Sequence, residues 1–69
     1  MKESDLEKTL AAFFYINRDF LDDLLPKGIT FTRATTFEEE GILTRNRGIV
    51  ARFEDDDHSY DFQITVVKM

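Results

Sequence analysis

An α+β fold is predicted for this chain: one N-terminal helix packed on one face of a three-stranded antiparallel meander, in the order α-β-β-β. Three observations predict it. Apolar residues recur at a spacing of three and four before Pro26. They alternate with period two after it. Turn signals then divide the alternating part into three runs.

The helix has a start and a stop. Ser4 followed by Glu7 matches the S-x-x-E capping box, and Asp5 and Glu7 favour the positive end of a helix dipole. Leu6, Leu10, Phe13, Phe14, Phe20, Leu21 and Leu24 supply the apolar stripe. Pro26 restrains Leu25, and Gly28 suits a chain reversal. Asn17 interrupts the stripe. One helix over about 5–25, kinked near Asn17, is the favoured reading; the other makes Asn17 the cap of a second, shorter helix beginning at Arg18.

Strands are expected over about 29–38, 42–54 and 59–67, the second of them long and central, within a single domain of residues 1–69. The run "ITFTRATTF" alternates and is rich in threonine and phenylalanine. Gly41 suits the positive-φ position of a three-residue hairpin loop. Phe37 would then face Leu43, Phe31 would face Ile49, and Ile29 would face Ala51. A competing reading starts a short helix at Thr36, with Glu39 three residues later. In the second hairpin "DDDH" (55–58) forms the loop, so Phe53 faces Tyr60, Ala51 faces Phe62 and Ile49 faces Ile64. Arg52 opposes Asp61 favourably on the other face. The expected core is Leu10, Phe13, Phe20, Leu24, Phe31, Ile49, Phe53, Phe62 and Ile64.

Composition bounds the function. A chain of 69 residues makes a marginal core, which such domains support with disulfides, metals or oligomerisation. The absence of cysteine removes disulfides and thiolate metal sites and fits a reducing compartment. No apolar run approaches the ~20 residues of a membrane span, and the polar first residues are unlike a secretory leader. A cytoplasmic protein is expected. Fourteen acidic against nine basic residues give a formal charge of −5, which repels phosphate backbones and counts against nucleic acid as a partner.

Few residues suggest chemistry. Asp55, Asp56, Asp57 and His58 cluster, but they lack the spacing and turn glycine of a calcium loop. Zinc would need more nitrogen or sulfur ligands than one histidine offers. The cluster is read as a solvated hairpin tip. No serine, histidine and acid form a triad, and no phosphate loop occurs. No catalysis, metal or cofactor is expected.

Function is therefore sought on surfaces. With a short third strand, residues 34–46 would project as a β1–β2 arm carrying Phe37, Ile42 and Leu43, with Arg33, Arg45 and Arg47 along it. Arginine beside aromatic residues is a common interface composition. Tyr15 and Ile16 follow Phe13 and Phe14 without a gap, so one helix face cannot bury them all. The leading expectation is a non-catalytic protein–protein interaction module, a homo-oligomer or assembly component. The alternative is a small acidic inhibitor or immunity-type protein, in the style of phage and mobile elements. It would block a basic partner surface with Glu38, Glu39, Glu40, Asp55, Asp56 and Asp57. A third reading, a β-ribbon reading nucleic acid through Arg33, Arg45, Arg47 and Arg52, runs against the net charge.

Overall fold

The computed structural model describes residues 1–69. Two helices, α1 (Glu3–Ile16) and α2 (Arg18–Leu24), precede three strands, β1 (Thr30–Thr36), β2 (Arg47–Glu54) and β3 (Ser59–Val66). The strands form one antiparallel sheet in the order β1-β2-β3, as the turn signals require.

The helix starts earlier than the Ser4 capping box predicts. Lys2 is the cap residue, and its N–H donates to Asp5 Oδ2 at 3.0 Å. Glu7 is thereby free to turn inward. Asn17 divides the single helix expected over about 5–25 into two. Its Nδ2 donates to the Phe13 carbonyl at 2.9 Å, a bond back along the helix that bends the backbone. Leu21 N–H still donates to the Asn17 carbonyl, so α2 follows α1 with one residue between them. Gly28, with φ of 90°, reverses the chain into β1.

The second hairpin pairs as expected: Phe53 with Tyr60, Ala51 with Phe62, Ile49 with Ile64 and Arg52 with Asp61. The first hairpin does not. Phe31 faces Phe53 rather than Ile49, Ala34 faces Ala51, and Thr36 faces Ile49. The cause is the competing capping box. Thr36 N–H donates to Glu39 Oε1 at 3.1 Å, and Glu39 N–H donates to Thr36 Oγ1 at 3.2 Å. One helical turn follows. It closes when Ile42 N–H reaches the Phe37 carbonyl and Gly41 N–H reaches that of Glu38. Gly41, at φ of 72°, is the left-handed residue that ends such a turn. Residues 37–46 are thus a folded loop, and β2 begins at Arg47 rather than near 42. The projecting two-stranded arm is not formed.

The core lies between α1 and the first two strands. Phe31, Ala34 and Ile49 are buried, with Leu10, Ala11, Phe14 and Phe53 against them. The Phe14 ring stacks on Phe31 at 5.5 Å, and Phe53 meets Phe31 edge-on at 5.9 Å. Five expected core residues, Phe13, Phe20, Leu24, Phe62 and Ile64, are instead exposed. The helix explains them. Its inward stripe runs through Glu7, Leu10, Ala11, Phe14 and Leu21, so it is turned about one step from the apolar stripe 6–10–13–20–24 and shares Leu10 with it. It covers β1 and β2, and α2 does not reach β3.

Candidate functional site

The loop after β1 accounts for most of the residues assigned to an arm. Phe37 is 4 % exposed and Leu43 is 98 % exposed, so the two do not face each other. Phe37 folds back onto Gly48. A Cβ at Gly48 would lie 2.6 Å from Phe37 Cζ and would also strike the Ile64 carbonyl oxygen. Only glycine lets that ring lie there. Phe37 N–H donates to the Gly48 carbonyl, extending the ladder by one bond. The Gly48 N–H turns to Glu7 Oε2 at 2.9 Å. Glu7 is buried, and Arg47 Nη1 stands 3.6 Å from its other oxygen and 3.3 Å from Glu38. The glutamate therefore pins the end of the sheet to α1 across 41 residues of sequence. Ile42 is half-buried, Arg45 is solvated, and Arg33 stands 3.6 Å from Glu40.

The acidic runs have local partners. Glu39 serves the turn at Thr36, whose N–H holds its carboxyl below the usual range. Glu40 accepts a bond from Thr35 Oγ1. Asp55 accepts from the backbone N–H groups of Asp57 (2.8 Å) and His58 (2.6 Å) and from the Tyr60 hydroxyl (2.8 Å). The Asp57 N–H above all, then the Tyr60 hydroxyl, hold its carboxyl low. Asp55 is thus the organiser of the tip, with its oxygens turned to internal donors. Asp56 and Asp57 are exposed, and the exposed His58 stands 3.6 Å from Asp55 through Nδ1. No group of three or more acids and histidines is arranged to hold a metal ion.

The two sides of the sheet differ most. On the β1 side, the outward N–H groups are occupied. That of Phe31 donates to Asp22 Oδ1 at 3.0 Å, that of Ala34 to the Tyr15 hydroxyl at 3.2 Å, and that of Thr36 to Glu39. Arg18 reaches the Phe31 carbonyl at 3.4 Å. Tyr15 and Ile16 are both exposed, as the expected strip requires, but the Tyr15 hydroxyl also clasps the sheet edge.

On the β3 side nothing closes the edge. Gly48 directs its carbonyl towards β1, so by alternation Ile49 and its partner Ile64 direct their polar groups towards each other. The N–H and C=O groups of Asp61, Gln63 and Thr65 then point away from the sheet, and no other segment bonds them. Asp61, the only charged residue of β3, is held by Arg52 through two bonds of 2.7 and 2.9 Å. That guanidinium keeps the Asp61 carboxyl below its ordinary range.

The same side is apolar. Tyr15, Arg18 and Asp22 lie on the helix flank that clasps β1, so the opposite flank, with Phe13, Phe20 and Leu24, looks towards β3. These three are 53, 63 and 67 % exposed. Across from them Tyr60, Phe62 and Ile64 share one face of β3, with Phe62 at 56 %. Beside β3, where the chain leaves α2, lies a shallow hollow of about 420 Å³, lined only by Leu25, Ile29, Phe53, Tyr60 and Phe62. Sequence reasoning placed Phe62 and Ile64 in the core, together with the flank residues Phe13, Phe20 and Leu24. Their apolar character was visible, and the side of the helix they occupy was not. No helix is long and apolar enough to cross a membrane. No protein-family model, curated protein or solved structure matches the chain.

Proposed function

We propose that this chain is a non-catalytic protein–protein interaction module. It associates through the apolar surface formed by the α1–α2 flank and β3, not through the loop after β1. The observation that carries this reading is the amount of large apolar side chain left exposed on that side. Phe13, Phe20, Leu24, Tyr60, Phe62 and Ile64 leave on the order of 600 Å² of apolar area exposed, taking ~200 Å² for a whole large side chain. That is the upper end of the largest patch on an ordinary monomer, ~300–600 Å², and such patches are commonly interaction sites. The lining of the hollow offers no charged group to a small polar substrate. The cysteine-free composition suits work in the cytoplasm. The acidic-inhibitor reading has less behind it, because Glu38, Glu39, Glu40 and Asp55 spend their carboxylates on local partners.

The test is a double change on the exposed flank, Phe20→Ser with Leu24→Ser. Burying a large apolar side chain is worth about 1.5–3 kcal/mol, and both are nearly two-thirds exposed in the free chain. Association should weaken by roughly 2–4 kcal/mol, at least tenfold in Kd, while the circular dichroism melt stays near the parent's. Unchanged association in a folded double variant would contradict the proposal.

A further inference from the structure

We infer that two copies of this chain pair antiparallel along β3, about a two-fold axis at Phe62, to make one continuous sheet of three strands from each copy. The inference rests on the open-side reading above and specifies its partner and geometry. Three observations carry it.

The first is the difference between the edges. Strands that end a sheet present unpaired backbone groups, and proteins blunt them with charge, proline, bulges or covering segments. β1 has a register shift between Phe31 and Arg33 and side chains on its outward N–H groups. β3 has neither. It runs from Ser59 to Val66 without proline, glycine or register shift, and its one charge is already paired with Arg52.

The second is self-complementarity. An axis at Phe62 sets Asp61 opposite Gln63 of the second copy and Ser59 opposite its Thr65. These are the residues whose N–H and C=O groups point outward, so each such pair exchanges two bonds. No two like charges meet across the axis, since Asp61 faces an amide. Tyr60 falls opposite Ile64 of the second copy on the apolar face. A segment of another protein would need this pattern by coincidence, whereas a two-fold supplies it from the chain itself.

The third is area. A two-fold perpendicular to the sheet keeps both helical layers on one face, so the two apolar hollows meet. Tyr60, Phe62, Ile64 and the strand backbone enter directly, and the flank residues that meet across the axis bring the buried area up towards the ~800 Å² per partner of a standard stable interface.

The experiment combines sedimentation equilibrium with single-cysteine crosslinking, which the cysteine-free parent makes clean. Gln63→Pro removes an outward N–H and leaves the β2–β3 ladder its bonds, since proline is tolerated at such edge positions. The expected result is a dimeric parent and a folded Gln63→Pro variant whose Kd is at least tenfold weaker. Phe62→Cys, at the axis, should oxidise to a dimer, because directly opposed strand residues meet disulfide geometry. Thr65→Cys, distant from its copy across the same axis, should not. The crosslinks decide the matter even where the proline variant fails to fold. A parent monomeric at millimolar concentration overturns the inference. A dimer unaffected by Gln63→Pro but dissolved by Phe20→Ser with Leu24→Ser also overturns it, and leaves the apolar interaction surface standing. A dimer unaffected by either change overturns both.

Discussion

The sheet has two edges made of similar residues, and they meet opposite surroundings. β1 alternates threonine with Phe31, Ala34 and buried Thr36; β3 alternates polar residues with Tyr60, Phe62, Ile64 and Val66. Over β1 the helix contributes an aromatic stack, and Tyr15, Arg18 and Asp22 bond the strand's outward backbone groups. Over β3 the helix makes slight contact through α1 and otherwise presents the exposed side of its own apolar stripe. A domain of this size has one helical layer to spend and three strands to cover. Covering the middle of β1 and β2 leaves β3 for something else. Strand propensity is therefore no guide to which edge is finished. The deciding factor is where the covering helix lies.

Mutations on the two sides should separate accordingly. The largest effect belongs to Phe37, buried over Gly48 on the closed side. Phe37→Ser should cost about 3–5 kcal/mol in denaturant unfolding, as large-to-small aromatic core changes do. Leu43→Ser, six residues on and wholly exposed, should stay within about 0.5 kcal/mol. Equal effects from the two would mean that the loop does not fold back.

Gly48→Ala comes next. The added methyl meets a buried ring and a strand carbonyl, neither of which is a flexible chain end. Overpacking of this kind costs about 1–3 kcal/mol, and the upper end applies here. A chemical melt of the variant within experimental scatter of the parent would show that Phe37 has room to move.

Tyr15→Phe is smaller and sharper. It keeps the edge-on contact with Phe31 and removes only the hydroxyl that accepts the Ala34 N–H. The loss should be about 1 kcal/mol, with faster amide exchange confined to Ala34 and its neighbours on β1. Faster exchange spread evenly over the sheet would deny Tyr15 its role as a clasp.

How much of this was legible in the sequence varies along the chain, for reasons that can be named. A disturbance at Asn17 was visible because a polar residue in an apolar stripe has few structural solutions, but the division into two helices was the less favoured of the two readings. The β2–β3 register was visible because Arg52 and Asp61 favour one pairing and the "DDDH" loop allows it. The β1–β2 register was not. Thr36 and Glu39 form a capping box, and Gly41 serves equally well as a hairpin residue or as the end of a helical turn. The two solutions differ by a local choice that the alternation of apolar residues does not make. The site was hidden by Glu7. A charged residue in the buried stripe makes the stripe look one step away from where it is. That step moves Phe13, Phe20 and Leu24 from the expected core to the surface. The compensating signal was present but distant: Gly48, whose N–H the glutamate takes, lies 41 residues further on.

The contrast between the edges is tested most directly by amide hydrogen exchange at several protein concentrations. Phe31, Ala34 and Thr36 on β1 should be protected at every concentration, since their N–H groups are bonded within the chain. Asp61, Gln63 and Thr65 on β3 should exchange rapidly in dilute protein and become protected as concentration rises, with Phe62 and Ile64 slow throughout. Rapid exchange at Asp61, Gln63 and Thr65 at the highest concentration reached, or protection there that never changes with dilution, would contradict an open edge closed by a second copy.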